Sequence, residues 1–184
     1  MDDVTRRRVE EYVRPLAVGL DGITTYGDIT RVVAACDLIA AAREDLDRDL
    51  LHLLAVFSGQ EKWVSRMGNA SRTEIFLASL GIHGKTIRAL VRGLTRFERL
   101  PATPEEEIVH DAVRLEWMGA YGIARLLAAG HREGSDLSEI ARAIEDAAAE
   151  PLRTSAGEEL ARPRRQAMLA FAGQLRKEFE ELRE

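Results

Sequence analysis

Cysteine is nearly absent from this chain of 184 residues, Cys36 being the only one. That excludes an intramolecular disulfide and any zinc site built on several cysteines. Aromatic residues are scarce at 5%, and 5 prolines and 14 glycines are too few for a collagen-like or low-complexity chain. No apolar run approaches the roughly 18 residues of a membrane span. The opening MDDVTRRRVEEYV is charged and lacks the apolar stretch of a secretion signal. With 31 acidic residues against 26 basic ones, a net charge of -5, the chain lacks the basic excess that a phosphate backbone attracts. Nucleic acid and membrane are therefore not expected partners, and a cytoplasmic protein is expected. What remains is 46% hydrophobic and 31% charged, a composition that builds a globular core.

The apolar pattern is helical almost throughout. Val4, Val9, Val13, Leu16 and Leu20 mark a first helix over 4–20 with a pause at Pro15, and GITTYG at 22–27 reads as a turn. Ile29, Val32, Val33, Cys36, Ile39 and Ala40 share one helix face. The segment from Asp49 to Phe57, DLLHLLAVF, is apolar nearly all round and predicts a buried central helix. Asn69 and Ser71 can cap a helix that Gly81 ends, and Ile87, Leu90, Val91, Leu94 and Phe97 repeat the stripe. Thr103-Pro104-Glu105-Glu106 reads as a capping box with proline at the first helical position. The helix it opens is expected to run through IVHDAVRLEWMGAYGIARLLAA to Gly130. Ser135-Asp136 opens another, ending near Pro151, and Met168, Phe171, Leu175, Phe179 and Leu182 stripe a last one. No strand alternation and no internal repeat is found. The expectation is one all-α domain over 1–184, of about seven to nine helices, with an N-terminal helix within 1–22.

Few residues suggest chemistry on their own. His52 lies in the apolar helix and reads as an interior group. His83 and His131 follow helix-stop glycines and read as surface residues. His110 precedes Asp111, but neighbours on a helix point about 100° apart, so the two are not expected to face one site easily. No HExxH spacing occurs. Cys36 sits on an apolar stripe and reads as core. Trp63 and Trp117 suit packing or an interface. Ser58-Gly59-Gln60-Glu61-Lys62 is a polar turn closing the apolar helix, and Glu61 and Lys62 could hold a small polar ligand.

One string is more specific. In EIVHDAVRLEWMGAYGIARLLAAG, the residues Asp111, Ala112, Arg114, Leu115, Gly119, Ala120, Gly122, Ile123, Ala124 and Arg125 fall in the order of a long ungapped pattern. The segment from Arg31-Val32 to Ile39-Ala40 and the tail from TSAGEELARPRRQ fit the same source. Together, over 24–180, the chain resembles the HD-domain phosphohydrolases, a helical superfamily named for a His-Asp metal dyad.

That resemblance implies four metal ligands: a first His, a His-Asp pair and a distant Asp, which hold a metal that activates water against a phosphate ester. Carried over position by position, the first His falls on Asp28, three residues before Arg31. The His-Asp pair falls on Ser58-Gly59. The last Asp is kept as Asp111, while Val113 and Glu116 stand where further acids would be. Asp28, Ser58 and Asp111 make a poor site for a transition metal, so no cofactor is expected.

Two readings follow. In the first, the pocket is reused without metal to bind or convert a small, anionic molecule, as in secondary metabolism. Asp111, Asp28 and Ser58 would then be catalytic, with Arg31, Arg114, Glu116, Glu61 and Lys62 binding the ligand. In the second, the chain is a pseudoenzyme, a non-catalytic scaffold or partner subunit of a homo- or hetero-oligomer. Residual metal-dependent hydrolysis is the least supported. An enzyme should keep Asp111 open to solvent, and a scaffold should fill the cavity.

Overall fold

Helices form wherever the sequence supplies both a cap and an apolar face. The computed structural model describes residues 1–17, 25–64, 66 and 68–181, without the side chains of Glu61, Lys62 and Glu180. Among them are nine α-helices of ten residues or more and no strand. The all-α expectation holds. The parts of the expected first helix and turn at 18–20 and 22–24, and Leu182 of the last stripe, lie outside the described residues.

The chain divides into two compact units, Met1–Ala112 and Val113–Glu184. In the first unit, α1 (Asp3–Val13) starts where the Asp2 carboxylate accepts from the Thr5 N–H at 2.8 Å. Pro15 tightens the chain after it into a 3-10 turn over Arg14–Ala17. Helix α2 (Tyr26–Ala40) begins with a capping box in which Thr25 and Asp28 exchange hydrogen bonds. Helix α3 (Arg48–Phe57) starts at Asp47, whose carboxylate accepts from the N–H groups of Asp49 and Leu50. It is the central helix that its composition predicts. Leu53, Leu54, Ala55, Val56 and Phe57 are fully buried, and α1, α2 and α6 all pack on it.

A single-turn helix α4 (Glu61–Val64) leads to α5 (Asn69–Ser79), α6 (Gly84–Leu94) and α7 (Pro104–Leu115). Asn69 is the first residue of α5, and its side-chain N–H donates to the Trp63 carbonyl. Tyr12 stacks on Phe76 at 4.1 Å and meets the edge of Trp63 at 6.3 Å, so Trp63 is a packing residue. Glu106 departs from the expected capping box. The Thr103 hydroxyl caps the Glu106 N–H at 3.3 Å, but the Glu106 carboxylate accepts from the Ala102 N–H and, in bidentate fashion, from Arg96.

The second unit holds α8 (Gly119–Glu133), α9 (Leu137–Ala149) and α10 (Ser155–Glu181), each packed on the other two. One expectation is corrected here. The helix expected from Glu107 to Gly130 is two helices, broken over 116–118. Gly119 adopts φ +72°, which an L-residue rarely takes. Gly122 then approaches the Trp117 carbonyl so closely that a Cβ there would lie 2.2 Å from it. The helix ends at Gly134, also left-handed, so His131 sits in its last turn rather than beyond it. Asp136 opens α9 where the sequence predicts a helix start, with a capping box to Glu139. Helix α10 carries Pro163 in its interior. The Arg165–Glu158 and Arg176–Glu145 ion pairs brace it. Among the described residues no helix is long and apolar enough to cross a membrane.

Candidate functional site

Three of the four positions assigned to a metal ligand by the resemblance, Asp28, Ser58 and Asp111, are engaged by their own neighbours. Asp28 is the third residue of α2 and is 4% exposed. Its Oδ2 accepts from the Thr25 N–H at 2.5 Å and from the Thr25 hydroxyl at 2.9 Å. A carboxylate there serves the helix N-terminus, whose partial positive charge and open N–H groups it satisfies. The signal for this was present as Thr25-x-x-Asp28, inside a stretch that reads otherwise as a turn.

Ser58 is the C-cap of α3, and its hydroxyl donates to the Ala55 carbonyl at 2.7 Å. Gly59 has φ +81°. A side chain could occupy the open space beside it, but the left-handed backbone costs an L-residue about 1–2 kcal/mol. Gln60, which the sequence places in the polar turn without a role of its own, is buried next to them. Its Oε1 has no hydrogen-bond partner among the described residues. The side chains of Glu61 and Lys62, two expected ligand contacts, lie outside the described ones.

Asp111 is fully buried on α7. Against the expected divergence of neighbouring helix positions, His110 Nδ1 lies 2.9 Å from Asp111 Oδ1, with both side chains buried. Side-chain torsions close the angle that the backbone opens, because a short carboxylate and a ring nitrogen can both lean along the helix surface. Cys36 is buried too. Burial pushes its thiol far above the usual value, with the Asp37 and Asp111 carboxylates adding to the shift. It is a core residue, as its place on the apolar stripe indicates.

Arg31 is exposed on α2. In the second unit, Arg114 pairs with Glu150 at 3.1 Å. Glu116 is buried just after α7. Arg125, also within the resembling string, lays its guanidinium 4.3 Å from the centre of the Trp117 ring.

The donor set does not fit the metal that the resemblance implies. Among the described residues no group of three or more His, Cys, Asp or Glu side chains is placed to hold a metal ion. Such a metal needs several nitrogen, sulfur or carboxylate donors converging on one point. Ser58 and Gly59 offer one hydroxyl, which is already donating.

Open space is found elsewhere in the first unit. A cavity of about 400 Å³ is bordered by α1, α2 and α3, with Arg6, Glu10, Asp37, Arg48 and His52 on its walls. Neither Asp28, Ser58 nor Asp111 lines it.

No protein-family description and no curated protein matches the chain. Solved structures do. YpgQ of Bacillus subtilis, solved in complex with ADP, is 22% identical over 95% of both chains with a TM-score of 0.73. The Lin1889 protein of Listeria innocua is 21% identical over 98% of both chains, with a TM-score of 0.80. An HD-superfamily hydrolase of Bacillus thuringiensis is 19% identical over 96% of this chain and 97% of that one, with a TM-score of 0.72. The fold is therefore that of the HD domain, as found in HD-superfamily hydrolases.

Proposed function

We propose that this protein has kept the HD-type scaffold without its metal-dependent hydrolysis, and works by binding a small molecule. The loss of hydrolysis is carried by the local closure of three of the four ligand positions, and the binding of a molecule by the cavity bordered by α1, α2 and α3, which none of them lines. Asp28 caps its own helix, Ser58 bonds its own helix end, and Asp111 contacts His110 out of reach of solvent. Decay of a buried site into apolar side chains would leave no such bonds. Here the polar groups stay because the fold uses them.

The test uses the purified protein with Mg²⁺, Mn²⁺ or Zn²⁺. Elemental analysis is expected to find no stoichiometric metal, and the melting temperature is expected not to rise with metal concentration. Incubation with ADP, the ligand described for YpgQ, and with p-nitrophenyl phosphate is expected to release no phosphate. Metal-dependent phosphate release that is lost in Asp111→Asn would refute the reading.

The His110–Asp111 contact favours one other reading, in which the pair moves a proton on a bound substrate without metal. The two differ in the exchange of the His110 ring proton with water. A structural pair protects it, and NMR exchange measurements on the free protein read that protection directly.

A further inference from the structure

The cavity between α1, α2 and α3 has a charge pattern of its own. Arg6 and Glu10 face it from α1, Asp37 from α2, and Arg48 and His52 from α3. Two cationic side chains thus oppose two anionic ones around an imidazole. Arg6 Nε and His52 Nε2 are buried, and neither has a hydrogen-bond partner among the described residues. His52 Nε2 lies 3.7 Å from Glu10 Oε1, too far for a hydrogen bond. The Arg48 guanidinium is held in place, donating to the carbonyls of Ala40 and Arg43.

We propose that this cavity binds a small zwitterion of the α-amino acid class, its carboxylate toward Arg6 and Arg48 and its ammonium toward Glu10 and Asp37. An anion alone would meet the repulsion of Glu10 and Asp37, and a cation alone that of the two arginines. An apolar occupant would leave Arg6 Nε and His52 Nε2 unsatisfied, at about 1–3 kcal/mol each. A molecule with both charges meets both pairs, and an oxygen near Arg6 Nε accepts the hydrogen bond that the protein leaves unmade. The volume of about 400 Å³ leaves room for a side chain, for which Leu51 supplies an apolar wall. Metal occupancy is not the alternative, because no group of three donor side chains converges here among the described residues.

This inference rests on the reading of the chain as a binding protein, but its test is separate. The full chain is screened by thermal melting against each proteinogenic L-amino acid at about 10 mM, followed by calorimetry. Acetate, methylammonium and glucose serve as single-charge and neutral probes. At least one amino acid is expected to raise the melting temperature in a concentration-dependent way, and the three probes are not. Arg6→Gln and Glu10→Gln are each expected to weaken binding about tenfold or more, whereas Arg92→Gln, on the exposed face of α6, is expected to leave it unchanged. The inference fails if no amino acid binds, if a probe with one charge or none binds as well, or if binding survives both Arg6→Gln and Glu10→Gln. Metal-dependent phosphate release would instead refute the functional reading above, whatever the binding screen shows.

Discussion

At the scale of single residues, buried charge separates the structural from the accessible. Glu106 is almost fully buried and meets Arg96 at 2.6 and 2.8 Å and the Ala102 N–H at 2.8 Å. Removing it strands a backbone donor and an arginine at once. Arg96 is itself 40% exposed, so water recovers part of the loss, and Glu106→Ala is expected to destabilise by about 2 kcal/mol. Urea unfolding measures this. His52 supplies the second expectation. Burial, then the Arg6 charge, lowers its pKa, with Glu10 opposing. Below its ordinary value of 6.5 the unfolded chain therefore takes up a proton that the folded chain still refuses. Stability contributed by neutral His52 is complete above that pH. It is lost as pH falls from there through the lowered folded value. His52→Gln is expected to flatten that part of a stability-against-pH profile, and NMR titration of the ring reads the lowered pKa directly.

At the scale of elements, glycine contacts decide where helices break and how closely they approach. A Cβ on Gly122 would meet the Trp117 carbonyl at 2.2 Å, and backbone there cannot give way without undoing the break before α8. A Cβ on Gly130 would meet the Ile140 side chain at 2.5 Å, whose far atoms can rotate aside. Gly122→Ala is thus expected to cost about 3 kcal/mol, the upper end for overpacking, and Gly130→Ala about 1 kcal/mol. Chemical denaturation of the two variants side by side tests the ranking. Equal losses would mean that the Trp117 turn is more compliant than its geometry implies. The string around these glycines was legible as helix because its apolar spacing is continuous. The break at 116–118 was not, because a left-handed glycine leaves no trace in hydrophobic periodicity.

At the scale of the molecule, the question is whether an HD-type scaffold carries its chemistry by default. Restoring the implied ligands in a triple variant, Asp28→His, Ser58→His and Gly59→Asp, is expected not to restore a metal-dependent rise in melting temperature. The first change removes the α2 cap, worth about 1 kcal/mol. The last places an L-residue at φ +81°. Melting in increasing Mn²⁺ checks the expectation, with the unaltered chain as reference. A metal-dependent rise would mean that these backbones still accept the ligands and that only the side chains have diverged.

By itself the sequence determined the all-α class, the central apolar helix, and the helix starts at Thr103 and Asp136. These depend on residue type and local spacing, which a chain carries openly. Tertiary structure decided the rest. It brought His110 against Asp111 across neighbouring positions, and left Gln60 buried with its carbonyl oxygen unbonded among the described residues. It also set Arg6, Asp37 and His52 around one cavity, although they come from three helices and share no sequence motif. Side-chain torsions and the packing of distant segments set those contacts, and neither is encoded in the periodicity of any one segment.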